Sequence, residues 1–248
     1  MRSFFFTLAQ SSGLILLADF VAGVVHWLED AYGTEDTPIV GPLLIRPNIV
    51  HHHHPRFFTR LSWWQSSWDL VLLSAVLLAA AGWWGLLSWQ LWLFVAVSIN
   101  ANQVHKWAHR TRTENGPLIS LLQDLRILQT PHQHARHHAD PKNTFYCPIT
   151  NVVNPVLEYL RFWPRLERMI ERVTGVRHRH DTAVRGQGPG PVWLAAYAPM
   201  HSPTACSGCA RRCVPSTTST CSGRGRTLKP GRKPTKKTGA TQPALARR

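Results

Sequence analysis

Cysteine is scarce over most of this 248-residue sequence. Only Cys147 lies outside the C-terminal stretch that holds the other four of the five cysteines. Because one cysteine cannot form a disulfide framework, the main part of the chain gives no indication of an oxidising compartment. The spacing CSGCARRC at residues 206–213 resembles a metal knuckle, but it lacks a convincing fourth ligand and lies in low-complexity sequence. We therefore expect no zinc site there.

Acidic residues are absent from residue 183 onward, where twelve lysines and arginines contribute +12 of the formal charge of +15. The preceding residues carry only +3. The basic character therefore belongs to the tail and does not indicate a nucleic-acid-binding core. Because glycine, proline, serine and threonine dominate the same stretch, we predict a disordered basic tail over 183–248 and a membrane domain over 1–182.

A cleavable signal sequence is not expected at the N-terminus, since no small-residue cleavage site precedes a polar segment. The nearly continuous apolar run from Phe4 to Trp27 is instead long enough to cross a bilayer. A second apolar region predicts two further membrane helices, over 70–87 and 89–108. The alternative of one long buried helix is disfavoured by the glycine and polar residues near 82–84 and 88–90. Many of the tryptophans stand near the ends of these runs, as in an interfacial aromatic belt.

The predicted hairpin of 70–87 and 89–108 returns the chain to the side from which it entered. The basic excess of the C-terminal half marks this side as cytoplasmic by the positive-inside rule. We therefore predict an all-α fold, a multi-pass membrane helical bundle with a cytoplasmic histidine-rich metal-binding cap. Further helices are expected over 152–162 and 164–173, and the amphipathic run 116–129 can lie along the membrane surface.

Histidines recur at helical spacing in the middle of the chain. His105 and His109 are four residues apart, and His134, His137 and His138 stand at i, i+3 and i+4, so each set lies on one helical face. Upstream lie His26 and the run His51–His54. Clustered imidazoles suit zinc, copper, iron or nickel. Scattered surface histidines with a tag-like run are the alternative, but several spaced groups favour a metal site.

Two other polar residues have more than one interpretation. Asp19 lies within the first apolar run, where an acid is costly and indicates either function or a hydrogen bond inside the helix bundle. Asn154 precedes Pro155 and offers either a weak oxygen ligand or a helix cap, of which the cap is the simpler interpretation.

Several separated stretches, in this order, resemble the Kua/CarF-type lipid desaturases. These are the plasmanylethanolamine desaturases, related to a plant plastid enzyme that desaturates an acyl chain of phosphatidylglycerol. The stretches are DFVAGVVHWLED, PIVGPLLIRPNIVHHHHP, NQVHKWAH and HARHHADPKNTFYC followed by NPVLEYLRFWPRLE. The resemblance covers about residues 18–174 and does not extend into the tail.

The resemblance implies a non-haem di-iron centre that uses O2 and an external electron donor such as cytochrome b5 or ferredoxin. The ligands it implies are His26, His51, His52, His105, His109, His134, His137 and His138. It also implies catalytic-site roles for Gln103 and for Asp30, a carboxylate that orients His26; a plain solvated acid is the alternative for Asp30. The register set by Arg46-Pro47 makes His53 and His54 non-ligands. One departure is Gln133, where the family often has a histidine.

The sequence thus predicts an integral membrane oxidoreductase that acts on a membrane phospholipid and binds no nucleic acid. Its expected reaction forms the vinyl ether of plasmalogens from 1-O-alkyl phospholipids. An acyl-lipid desaturase or hydroxylase of the same di-iron type stays open, as does a non-enzymatic zinc-binding membrane protein or metal sensor. We expect the endoplasmic reticulum as location in a eukaryote and the inner membrane in a bacterium.

Overall fold

Every regular element is a helix over the residues that the computed structural model describes, 2–179. In chain order the helices are α1 (Arg2–Ala31), a π-helical turn (Gly41–Ile45), α2 (Arg46–His53), α3 (Pro55–Phe58), α4 (Trp63–Trp83), α5 (Trp89–Ser98), α6 (Ala101–Ala108), α7 (Arg112–Asp124), α8 (Pro131–His138), α9 (Val153–Tyr159) and α10 (Phe162–Thr174). The predicted all-α class is confirmed for this range. The tail predicted over 183–248 lies outside the described residues.

Two of the described helices, Ser3–Ala31 and Trp63–Trp83, are long and apolar enough to cross a membrane. Few of their residues are buried within the protein, which leaves long apolar surfaces on α1 and α4. Helix α1 continues four residues beyond the predicted end at Trp27 and so includes Asp30. The last turn of this helix therefore carries both His26 and Asp30 on one face.

The predicted hairpin exists, but its helices differ from the prediction. Helix α4 begins at Trp63 instead of residue 70, because Ser62 and Gln65 form a reciprocal capping box. The stretch 89–108 is two helices, since the chain turns at Ile99 and Asn100, where Asn100 leaves helical geometry with φ of −98° and ψ of 2°. Asn100 donates from Nδ2 to the Ala96 carbonyl (2.9 Å) and accepts at Oδ1 from the Trp63 indole (3.0 Å).

The amphipathic run over 116–129 lies partly in α7, which begins at Arg112 and ends at Asp124. Thr111 and Glu114 form a capping box at its start, and the helix bends at Gly116, whose φ of 73° favours glycine. Leu118, Leu121 and Leu125 are exposed on its outer face. Such a face agrees with contact to an apolar phase.

The helices predicted over 152–162 and 164–173 correspond to α9 and α10. Helix α9 ends before residue 162, because Arg161 adopts a left-handed conformation with φ of 48°. Inside the bundle, Trp163 of α10 stacks on Trp27 of α1 with 5.6 Å between ring centroids. Both rings are buried together with Tyr146 and Cys147. This aromatic core joins the C-terminal half of α1 to the last helices of the domain.

Asp19 fixes the extended segment that precedes α9. Its carboxylate accepts hydrogen bonds from the amides of Ile149 (2.7 Å) and Thr150 (2.9 Å) and from the Thr150 hydroxyl (2.6 Å). Gly23 allows the same segment to approach, since a Cβ there would lie 2.4 Å from Cys147 Sγ. The contacts agree with the structural interpretation of Asp19, which sets the path of residues 144–150 along α1.

Candidate metal centre

Eight histidines and one aspartate meet in two adjoining groups at the ends of four segments. Within each group, the possible ligand atoms all lie within 4.8 Å of one another. Site 1 consists of His51, His105, His109, His134 and His138. Site 2 consists of His26, Asp30, His52 and His137. The two sites share the helices α2 and α8, which place neighbouring histidines in different sites.

Site 1 is built from imidazole nitrogens alone. The Nε2 atom of His134 lies 2.8 Å from that of His109, 2.9 Å from that of His105 and 3.0 Å from that of His138. His51 Nε2 lies 3.1 Å from His105 Nε2 and 3.2 Å from His109 Nε2. Two nitrogens bound at right angles to one ion at about 2.0–2.1 Å lie about 3.0 Å apart. The spacing of site 1 fits a shared metal ion.

Site 2 combines three imidazoles with a carboxylate. The Nε2 atoms of His52 and His137 are 3.3 Å apart. The Asp30 carboxylate lies 3.2 Å from His52 Nε2, 3.6 Å from His137 Nε2 and 3.7 Å from His26 Nε2. Asp30 is 1% exposed and therefore faces these rings rather than water. Its position is that of a possible ligand, beyond the orienting role that the resemblance implied.

Backbone carbonyls orient two of the site 2 rings. His26 Nδ1 lies 3.1 Å from the Tyr146 carbonyl oxygen, and His137 Nδ1 lies 2.8 Å from the Thr144 carbonyl oxygen. A carbonyl accepts only, so each Nδ1 carries the proton and each Nε2 presents a lone pair. Asn48 Nδ2 donates to Asp30 Oδ1 (2.6 Å) and holds the carboxylate in turn.

Protein contacts alone do not satisfy these buried groups. The Nδ1 atoms of His51, His134 and His138 have no hydrogen-bond partner among the described residues, and neither do His26 Nε2 and Asp30 Oδ2. A neutral imidazole has a single N–H, so five clustered nitrogens cannot all be paired by one another. Buried polar groups without partners are costly. A cation at each group would satisfy the converging lone pairs, so the donor sets fit two metal ions.

The protonation state of the rings agrees with metal binding. Burial, with smaller effects from neighbouring charges, lowers the pKa of His109 to about 3 and that of His138 to about 2. Burial and the adjacent imidazoles hold the pKa of His51, His134 and His137 well below its ordinary value. Because a metal binds the neutral ring, these imidazoles are ready to bind a metal at neutral pH.

Residues 15–181 match the family model of the lipid desaturase domain. This chain belongs to the lipid desaturase family. The resemblance in the sequence motifs is thereby confirmed, and it covers both the plasmanylethanolamine and the plant branches that the motifs suggested.

Relatives from a virus, an animal and a plant show similar identity to this lipid desaturase family member. A probable fatty acid desaturase of Acanthamoeba polyphaga mimivirus is 34% identical over 169 residues, which are 66% of this chain and 82% of the relative. Plasmanylethanolamine desaturase 1 of Mus musculus is 33% identical over 178 residues, covering 67% of this chain and 65% of the mouse protein.

The plant relative is fatty acid desaturase 4, chloroplastic, of Arabidopsis thaliana, 34% identical over 175 residues. The match covers 69% of this chain and 54% of the plant protein. This chain therefore spans less than two thirds of the length of the mouse and plant relatives it matches. No solved structure matches it.

The other residues singled out in the sequence are Gln103, His53, His54 and Asn154. Gln103 is half-buried on α6, two residues before His105, and its role at the site stays a prediction. His53 and His54 are exposed and belong to neither site, which agrees with the register predicted for the loop. Asn154 does not cap α9, because it lies inside that helix and no side chain caps the helix start. Its amide instead pairs with both the N–H (3.0 Å) and the C=O (2.7 Å) of Cys147.

Asn48 is the supporting residue that the sequence reasoning missed. It stands four residues before His52 on α2, so helical spacing already places it on the face of a predicted ligand. Gln133 is buried beside His134 and donates to the Asn151 carbonyl (3.0 Å). The glutamine thus joins the hydrogen-bonded network behind α8.

Proposed function

We propose that this chain is an O2-dependent membrane lipid desaturase with an iron ion in each site. Its proposed reaction converts a 1-O-alkyl phospholipid into the vinyl ether of a plasmalogen. The observation that carries the proposal is the pair of adjoining groups, one of five imidazoles and one of three imidazoles and a carboxylate. Imidazole suits iron as well as zinc or copper, and two adjacent irons suit O2 chemistry better than a lone structural zinc.

The protein residues have defined tasks in this reaction. Iron, when bound, supplies the strong oxidant that an unactivated C–H bond requires. The eight histidines bind through Nε2, and we propose that Asp30 is a site 2 ligand as well as the partner of His26. The Thr144 and Tyr146 carbonyls and Asn48 hold the ligands in place. Burial keeps water from the reacting atoms.

We further propose that the protein is a multi-pass membrane protein with the metal centre on its cytoplasmic face. Helices α1 and α4 are the spans supported by length and composition. The pair α5–α6 covers the twenty residues Trp89–Ala108, of which eighteen are helical. A helix of about twenty residues reaches about 30 Å, the thickness of a bilayer core. Helix α5 packs along α1, so these segments form a bundle that returns α6 to the centre.

An acyl-lipid desaturase is the second candidate. The viral and plant relatives are named fatty acid desaturases, and their identity to this chain equals or exceeds that of the mouse plasmanylethanolamine desaturase. The same ligand set would serve both substrates, because the ether and the ester chains differ in the linkage and not in the bonds broken.

Lipid mass spectrometry of cells with and without the chain, combined with metal analysis of the purified protein, tests the proposal. We expect new vinyl ether phospholipids and about two irons per chain, one for each ligand group. The variant His105→Ala serves as the inactive control. A new double bond in an ester-linked chain would select the second candidate. A redox-silent zinc protein with an unchanged lipid profile would contradict both and favour a zinc-binding membrane protein.

A further inference from the structure

Four arginines form a stripe on the outer face of α10. Arg165, Arg168 and Arg172 stand at i, i+3 and i+7 on α10, which places them within about 60° of one another around the helix. The fourth, Arg161, is the left-handed residue directly before the helix. All four are exposed. Within the described residues, none of their side chains makes an ion pair or a hydrogen bond. The stripe therefore presents three positive charges without an ion pair along about 10 Å of helix, with that of Arg161 just before the helix start.

The opposite face of α10 leads to the metal centre through aromatic rings. Trp163 contacts Tyr146 with 5.0 Å between ring centroids. Tyr146 in turn lies 5.2 Å from His137 and 5.8 Å from His26, both in site 2. Trp163 and Tyr146 are each 1% exposed. One helix thickness and two buried rings thus separate the arginine stripe from the ligands.

The stripe runs along α1 rather than across it. Phe162 packs on Phe20 with 5.6 Å between ring centroids, while Glu167, five residues later, accepts from the indole of Trp27 (3.1 Å). The two helices therefore advance in the same direction along their contact.

Desaturation requires electrons from outside the protein. In the balanced reaction, O2, two hydrogens of the lipid, two protons and two electrons give the double bond and two waters. The two electrons come from a donor, one from each of two reduced one-electron carriers, which are oxidised in the process. Because electron tunnelling weakens steeply with distance, a donor needs a docking surface close to the ligands.

We propose that the arginine stripe of α10 docks a small acidic one-electron carrier protein, and that Trp163 and Tyr146 lie on the electron path to site 2. This inference rests on the proposed function for the need of a donor. The charge of the stripe and its position behind a buried aromatic path favour an acidic protein over an anionic lipid surface. The rings return to their starting state after each transfer, so no residue is consumed.

Binding measurements on the full chain in neutral-lipid nanodiscs test the docking surface. The probes are the soluble domain of a cytochrome b5 and a plant-type ferredoxin, both acidic one-electron carriers. We expect the double variant Arg165→Glu/Arg168→Glu to weaken binding of at least one carrier about tenfold or more at low salt. The double lysine variant at the same positions should bind like the unchanged protein, since it keeps both charges. The exposed Arg126, changed to Glu, is the control for added negative charge and should change binding by less than about twofold.

Two results would overturn the docking surface. In one, the double glutamate variant binds both carriers as well as the unchanged protein does. In the other, the variant loses binding to vesicles that contain anionic phospholipid but keeps its binding to the carriers. Neither readout requires turnover, so a failure of the proposed desaturation is recognised separately, by the absence of product from the unchanged protein.

Carrier oxidation tests the electron path. Trp163 touches no ligand histidine in the ring contacts described above, so Trp163→Met should keep full iron content while slowing oxidation of the reduced carrier by O2. Trp163→Phe, which keeps a ring, should be closer to normal. After chemical reduction with dithionite, both should give the normal product yield in a single turnover. Equal carrier oxidation by the iron-loaded Met variant would overturn the path; if that variant does not fold, Tyr146→Leu against Tyr146→Phe decides in the same way.

Discussion

The two candidate metal sites differ in the contacts that hold their side chains. Site 1 gathers five imidazoles, of which His109 and His138 are half-buried, while every residue of site 2 is buried. In site 2, backbone carbonyls orient His26 and His137, and Asn48 holds Asp30. In site 1 the Nδ1 atoms of three rings have no protein partner among the described residues, whereas in site 2 this is true of one ring, His52.

The difference indicates a division of tasks within one centre. We infer that site 1, with its half-buried rings, faces the route by which O2 and the lipid chain enter. Site 2 is enclosed and held by contacts from α1, α2 and the segment before α9, so it is the rigid half. Substitutions that separate the two sites will break or sharpen this comparison.

The largest effect is expected from the ligands themselves. His51→Ala removes a nitrogen from site 1, and His52→Ala removes one from site 2. Each should lower desaturation by at least about 100-fold, the upper range seen even for residues that only support a metal ligand. The measurement is the amount of desaturated lipid in cells that contain equal amounts of each variant in the membrane.

The neighbouring histidines provide matched controls for these variants. His53→Ala and His54→Ala should keep activity, because both rings are exposed and outside the two groups. Full activity of the variants at positions 51 and 52, with loss at 53 and 54, would show that the ligand assignment of this loop is wrong.

The next largest effect distinguishes the two sites by metal content. Asp30→Asn keeps the size of the side chain but removes the charge that lies within 3.7 Å of three site 2 nitrogens. We expect iron to fall from about two per chain to about one, because site 1 contains no carboxylate. Metal analysis of the purified protein measures the change. An unchanged iron content would reduce Asp30 to the orienting role that the sequence motifs implied.

A smaller effect is expected when the support of site 2 is weakened. Asn48→Ala removes the 2.6 Å hydrogen bond to Asp30 Oδ1 but leaves all ligands in place. Loss of such a supporting contact lowers metal affinity or activity by about 10- to 100-fold. Competition with a chelator should therefore release iron from site 2 first. Equal resistance to the chelator in the variant and the unchanged protein would contradict the rigid-half interpretation.

The same contrast separates what could be predicted from the sequence alone from what could not. Helical spacing joins His105 to His109, and it joins His134 to His137 and His138, so local geometry already placed these rings in pairs and triplets. It did not separate the ligands into two sites. Adjacent residues such as His51 and His52 belong to different sites because α2 lies between both groups, and only the packing of four segments shows this.

Hydrogen bonds from side chains to the backbone of a distant segment could not be predicted from residue types. The carbonyls of Thr144 and Tyr146 carry no side-chain signal, and their position follows from the Asp19 anchor on α1. Asn154 was expected to cap α9 but pairs with the backbone of Cys147, since the extended segment needs partners for its own amides. The start of α4 was predicted too late for a different reason, because the capping pair Ser62 and Gln65 decided it and this pattern was readable in the sequence.

The smallest effects concern the end of the domain, where site 2 receives a last support. Arg179 Nε donates to the Asp30 carbonyl (3.0 Å), and its Nη2 donates to the Glu29 carbonyl (3.1 Å). The Arg179 amide donates to the Ala31 carbonyl (2.9 Å). These are carbonyls of the last turn of α1, which have no partner within the helix. Arg179 therefore fixes the helix end that carries Asp30.

Two truncations and one pair of substitutions test this support. A chain that ends at Thr182 should retain full activity, because it keeps Arg179, and the removed basic tail adds only weak attraction to anionic lipids, about 1 kcal/mol per residue near the surface.

A chain that ends at Val176 should hold iron in site 2 about tenfold less tightly, as expected for a lost supporting contact. Arg179→Ala should reproduce this loss, whereas Arg177→Ala should not, since Arg177 is exposed and its ion pair is with Glu171 of α10. Iron retention during chelator competition is the measurement. If the chain ending at Thr182 folds and reaches the membrane but is inactive, the functional domain extends into the tail. If Arg177→Ala and Arg179→Ala behave alike, Arg179 does not stabilise the end of α1, and site 2 is held by Asn48 and the two carbonyls alone.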